Sequence, residues 1–172
     1  MPNKAPPEIL ADLSSDEPEP PREPLESADG HRNELVEPLL RAIDCGLTDP
    51  SGASPEEATL VCYALYLLAK WREPRAYPSV IRWLSLPGEA PFDIAGDVVT
   101  QDGGRILAAV CERDLEPIKA LVVDRSANEY GRSAAVTALA LLAAWAEVPR
   151  ESILNTFLWL AREGLEREPS QV

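Results

Sequence analysis

Three short stretches of this chain share one plan: "EPLLRAI" (37–43), "YPSVIRWL" (77–84) and "EPIKALVV" (116–123). Each sets a proline at its second position and then runs apolar. Pro38, Pro78 and Pro117 stand 40 and 39 residues apart. Proline has no amide proton and a fixed φ, so it does little harm only in the first turn of a helix. Each stretch is therefore predicted to open a short helix. After each comes a break and a second helical region, over 55–72, roughly 101–111, and 127–146. Helix pairs at this period predict an all-α chain of about three stacked pairs plus a terminal helix, because one pair alone cannot bury its apolar side. The same helices also fit a compact bundle, and the repeated interval favours the stack.

Local signals agree with helices. In "NELVEPLLRAIDCG", Asn33 is a cap candidate, Leu35, Leu39, Leu40 and Ile43 form an apolar face, and Gly46 is a plausible stop. Ser54, Pro55 and Glu57 form a capping box ahead of an apolar face through Ala58, Val61, Leu65 and Leu68. Ser126 and Glu129 read as a second box. The last segment, "PRESILNTFLWLAR", is expected to bury Ile153, Leu154, Phe157 and Leu158 and to close the stack. Trp71, Trp83, Trp145 and Trp159 all fall in helical segments, where core packing is the default and an exposed pair would mark a protein-binding groove.

The chain of 172 residues divides into an acidic, proline-rich tail (1–32), a helical-repeat domain (33–165) and a frayed end (166–172). Residues 1–30 carry eight acidic side chains against Lys4 and Arg22, with seven prolines, which predicts a mobile tail. Within it, "PPEILADL" has the pattern of a short helical turn or docking segment. The net charge of -13 repels phosphate backbones and anionic lipid, so nucleic acid and membrane are not expected partners. No apolar run reaches bilayer-spanning length, and the start lacks a signal-peptide pattern, so the expected location is the cytoplasm. Cys45, Cys62 and Cys111 are expected as buried free thiols. With one histidine, His31, expected in an exposed linker, no Cys/His zinc cluster can assemble.

The stretch "TQDGGRILAAV" (100–110) invites a phosphate-loop reading, but it has neither a Walker spacing nor a lysine, and no strand precedes it. A tight turn explains it better: Thr100 or Asp102 caps the helix, and Gly103 or Gly104 admits a neighbouring helix. The densest polar cluster around it comprises Asp97, Asp102, Arg105, Asp114, Glu116, Glu129 and Arg132. Of these, Asp97, Asp102, Arg105, Glu129 and Arg132, together with Tyr130, form the candidate binding or structural set. No nucleophile elbow, HExxH or CxxC occurs. No catalytic residue, metal or cofactor is assigned.

Two spacings carry a resemblance. Asp97 precedes Arg105 by eight residues, and Asp124 precedes Arg132 by eight. This resembles the HEAT repeat, in which a turn aspartate and a second-helix arginine form a ladder between repeats. In the first helix pair Glu57 stands where that arginine would be. The longer run through Gly96-Asp97, Thr100, Asp102, Gly104-Arg105, Asp114-Leu115-Glu116-Pro117 and Asn128-Glu129-Tyr130 with Arg132 is similar to an uncharacterised bacterial family of HEAT-like helical proteins, over roughly residues 34–162. Some relatives in that family carry a cysteine-rich zinc-binding tail, whereas "GLEREPSQV" has none. The resemblance implies a HEAT/armadillo-like α-α superhelix and no known reaction. The functional expectation is a non-enzymatic scaffold with a groove along its second helices and a protein partner, with a homo-oligomeric contact left open. The alternative is a small hydrolase or lyase using the carboxylate–arginine cluster at the repeat junction.

Overall fold

The computed structural model describes residues 4–15 and 19–164, which are all-α, with no strand among them. The helices are α1 (Pro6–Leu13), α2 (Arg22–Ala28), α3 (Arg32–Thr48), α4 (Pro55–Lys70), α5 (Tyr77–Leu84), α6 (Ala90–Ala95), α7 (Val98–Gln101), α8 (Gly103–Val110), α9 (Glu116–Val123), α10 (Glu129–Ala144) and α11 (Arg150–Trp159). Single 3₁₀ turns precede α3 and α5, and a π turn, Leu160–Gly164, follows α11.

The N-terminal stretch differs from the expected mobile tail. Pro6 starts α1, Glu8 favours its positive end, and Ile9 and Leu13, one turn apart, are fully buried. That helix lies against α2, α3 and α4. Burying two such side chains is worth about 1.5–3 kcal/mol each, enough to hold a short helix that the prolines would otherwise leave loose. Asp29 fastens the next turn: its carboxylate accepts from Trp71 Nε1 at 2.9 Å and from Lys70 Nζ at 2.7 Å. The expected frayed end, 166–172, lies outside the described residues.

Helix α3 begins earlier than its proline suggests. It starts at Arg32, is not capped at Asn33, and carries Pro38 in its second turn. The ring removes one hydrogen bond there, which burial of Leu35, Val36, Leu39 and Ile43 outweighs. Gly46 does not stop the helix. It is buried within it, and a Cβ there would lie 3.3 Å from Val61 Cγ2, so α3 and α4 approach closely at this point. The Ser54 box forms as expected: Glu57 N donates to Ser54 Oγ and Ser54 N donates to Glu57 Oε2. The Ser126 box does not. Ser126 donates to Asp124 Oδ1 at 2.6 Å, and Asn128 caps α10 through Tyr130 N.

Helix α8 lies between α4 and α10, and α5 reaches α3, α8, α9 and α10. Leu65 and Leu68 from α4, Leu107 from α8 and Leu139 and Leu142 from α10 fill the centre. Trp83 is fully buried beside them, with its indole Nε1 donating to Pro91 O at 3.0 Å. The region predicted at roughly 101–111 forms α8, but two short helices, α6 and α7, intervene between it and α5, so the middle unit differs from the pairs α3–α4 and α9–α10. Pro78 and Pro117 do sit in first turns, as the sequence predicts.

Candidate functional site

The glycines of "TQDGGRILAAV" mark a crowded helix junction. A Cβ on Gly104 would lie 2.7 Å from the Thr137 side chain and 2.8 Å from Ala134 O, and one on Gly103 would lie 3.3 Å from Ala134 Cβ. Opposite, a Cβ on Gly131 would fall 2.0 Å from Leu84 O. Glycine is required here because helix backbones meet, as expected for a turn that admits a neighbour.

The candidate residues spread out around that junction. Asp102 is not a side-chain cap; its carboxylate accepts from Tyr66 Oη at 2.9 Å and lies 3.7 Å from Arg105 Nη1. Burial first, and the hydrogen bond to Asp102 second, push the Tyr66 hydroxyl up to about 12. Arg105 therefore pairs with Asp102 and not with Asp97, which stands exposed ahead of α7. The reason is the break at Asp102: Asp97 precedes the short helix α7, while Arg105 lies in the next helix, α8. Tyr130 is exposed and meets Phe92 edge-on, with ring centroids 5.6 Å apart. Glu129 is exposed at the start of α10.

Arg132 holds the other turn. Its Nε donates to Val122 O at 3.1 Å. Asp124 is held below the usual carboxylate range chiefly by the Ser126 hydroxyl and amide, with the Arg132 charge contributing. An arginine fork gripping a turn carbonyl beside a carboxylate is the geometry expected for this pair. The proposed set thus resolves into the Tyr66–Asp102–Arg105 edge and the Arg132–Asp124 turn, and no point brings Asp97, Asp102 and Glu129 together.

A buried carboxylate–arginine cluster occurs elsewhere. Glu73 is 6% exposed; Oε1 accepts from Arg75 Nε at 2.8 Å, and Oε2 lies 3.4 Å from Arg32 Nη2. Arg75, more than any other neighbour, holds this carboxyl below its ordinary range despite burial. Glu73 also caps the 3₁₀ turn Pro74–Ala76 through Arg75 N. The sequence carried little signal for it: Pro74 in "WREP" marks a helix start, but glutamate is not a favoured cap residue.

Two further predictions change. Cys45 is exposed, while Cys62 and Cys111 are half-buried. His31 is not a free linker residue: it precedes α3 and its Nδ1 lies 3.1 Å from Glu34 Oε1.

The C-terminal helix departs furthest from expectation. Ile153 is buried, but Leu154 and Leu158, expected in the core, are 48% and 52% exposed. Trp145 and Trp159 are also exposed, while Trp71 and Trp83 are buried. Between α10 and α11 lies a groove of about 430 Å³, walled by Ala140, Ala143, Ala144, Ile153, Leu154 and Phe157. Arg150 at one end is its charged lining residue. Small side chains on α10 leave the depth that larger ones would fill.

A family model described as "Protein of unknown function (DUF1186)" matches residues 6–172. The chain belongs to this family. This DUF1186 chain is 35% identical over 163 residues to an uncharacterized protein of Chlamydia trachomatis serovar D, covering 94% of this chain and 64% of that one. It is also 35% identical to an uncharacterized protein of Chlamydia muridarum, with 65% of that protein covered. The DUF1186 chain thus spans a little under two-thirds of the length of these relatives. No solved structure matches it. Among the described residues no helix is long and apolar enough to cross a membrane.

Proposed function

We propose that this DUF1186 protein is a non-enzymatic protein-interaction module, built from stacked HEAT-like helix pairs, that receives an apolar partner segment between α10 and α11. The observation that carries the reading is the solvent exposure of Leu154 and Leu158, one turn apart on a helix whose groove is lined by alanines. Large apolar side chains left uncovered beside a groove are the features of a helix-docking surface. Stacking is supported by the contacts of α3 with α4, α5 with α8 and α9 with α10, joined through α3–α5–α9 and α4–α8–α10. The groove lies between the last pair and the terminal helix α11, not along successive second helices.

The test is a Leu154→Glu/Leu158→Glu variant. Both side chains are half-exposed, so its stability should stay within about 1 kcal/mol of the parent. Complexes isolated with the parent chain should be lost. Retention of every complex by a folded variant would remove the proposal.

A hydrolase or lyase is the second reading, and the Glu73–Arg32–Arg75 cluster is the observation that favours it. Its guanidinia are placed to neutralise charge; its carboxylate is held ionised, so it is no acid and only a weak base, and its use would be to bind or orient a cationic group. A reaction abolished by Glu73→Gln in a variant of unchanged fold would move this reading ahead of the first.

A further inference from the structure

At the other end of the chain a second cavity carries a separate inference. It has a volume of about 410 Å³ and lies between the last turn of α3, the 49–53 link and the start of α4. This falls in the size range of small-molecule sites, about 300–1,000 Å³. Ala42, Gly46, Leu60 and Val61 supply apolar walls, and the charged lining residues are Asp49 and Glu57. Both are acidic.

Three electronegative groups therefore border one apolar cavity. The Asp49 carboxylate is exposed and makes no hydrogen bond or ion pair among the described residues; the backbone carbonyl accepts from Gly52 N, which folds the link so that the carboxylate lies 2.1 Å from where a Gly52 Cβ would stand. Glu57 receives Ser54 N on Oε2, which leaves Oε1 without a hydrogen bond. The third is the C-terminal turn of α3, whose carbonyl end is partially negative and carries no basic residue of its own. Gly46 keeps the floor open, since a Cβ there would press on Val61. An anion would be repelled from this rim. A neutral apolar molecule would desolvate the rim carboxylates with nothing in return.

We propose that this cavity binds an organic cation with an apolar stem: an alkylammonium or alkylguanidinium group, on a free amine or on a lysine or arginine side chain. The stem packs on Leu60 and Val61 while the charge meets Asp49 and Glu57. The net charge of -13 draws such a cation toward the chain from a distance. This inference does not rest on the α10–α11 groove.

The test uses the full chain with n-pentylammonium, 1-pentanol as its neutral counterpart, and a capped peptide holding one lysine. Exposed Cys45 lines the cavity, so its alkylation rate reports occupancy, with half-buried Cys62 and Cys111 as internal references. Pentylammonium should slow alkylation of Cys45 alone and shift the Gly46 and Gly52 amide resonances, and pentanol should bind about tenfold more weakly. Asp49→Asn and Glu57→Gln should each weaken the amine several-fold; glutamine keeps the capping box, so α4 survives. A tighter peptide identifies a protein side chain as the source, and equal affinity identifies a free amine. Equal binding of pentanol and pentylammonium to the parent chain, or no protection of Cys45 by either cation, overturns the proposal.

Discussion

Arg72 stacks over Trp145, its guanidinium carbon 5.2 Å from the ring centroid, and also pairs with Glu147. The two residues end different helices, α4 and α10, that finish in the same way. Glu73 N donates to Leu68 O and Arg72 N to Ala69 O; Glu147 N donates to Leu142 O and Ala146 N to Ala143 O. These are paired Schellman ends, and the sequence repeats with them: "LYLLAKWRE" (65–73) and "LALLAAWAE" (139–147). The Arg72 contact ties one copy to the other across the shorter α8.

A double-mutant cycle tests that tie. Arg72→Gln and Trp145→Leu should couple by about 0.5–1 kcal/mol, the range for a solvent-exposed cation over an indole. Additive losses in denaturant melts would mean that the stacking contributes nothing.

Ala146 sits at φ 58 in the second of these ends. An L-residue with a Cβ is disfavoured there, and glycine is not. Ala146→Gly should raise stability by about 0.5–1 kcal/mol. A loss of stability in the same urea titration would contradict the left-handed end.

Gly131 faces the opposite outcome. With Leu84 O only 2.0 Å from the position a Cβ would take, Gly131→Ala must push α5 and α10 apart. It should cost about 2–3 kcal/mol, as overpacking of a fixed backbone does. Gly30→Ala, with nothing within 4 Å, should stay within about 0.5 kcal/mol.

The Glu73 carboxyl sets a pH signature. Its folded-state pKa is lowered, chiefly by Arg75, so its contribution is present above the ordinary glutamate value and is lost as pH falls through the lowered one. Glu73→Gln should destabilise by about 1–2 kcal/mol at pH 7, a figure reduced because both arginines are partly exposed to solvent. The difference between parent and variant should hold from pH 7 to about 5 and then shrink on further acidification. A difference that grows below pH 4 would reverse the sign of the argument.

Several features were legible because one residue type at one spacing has one physical use. Ser54, Pro55 and Glu57 specify a helix start locally, and so they form one. Gly103 and Gly104, followed by an apolar helix, foretold a close approach that Thr137 and Ala134 now make concrete. Other features depended on partners far along the chain. Ile9 and Leu13 looked too few among prolines to order anything, but α3 and α4 supply the surface that buries them. Pro38 looked like a helix start because its cost is local, while the burial that offsets it comes from α4 and α5. The Asp97–Arg105 spacing matched a ladder in count but not in space, since the chain breaks at Asp102. Leu154 and Leu158 fit a buried helical face in pattern, and nothing in the sequence shows that no described helix covers them. The nine-residue repeat ending at Glu73 and Glu147 was readable and ties the first and third second-region helices more firmly than the proline interval does.

The docking surface between α10 and α11 is tested most directly by a photo-cross-linking residue placed at position 158, with position 26 on exposed α2 as the control, in the cell that makes this protein. A protein at the groove gives a defined adduct from position 158, absent from position 26 and lost when Leu154→Glu is added. Adducts identical from both positions, or none from position 158 in a chain that is folded and abundant, would contradict a partner in that groove.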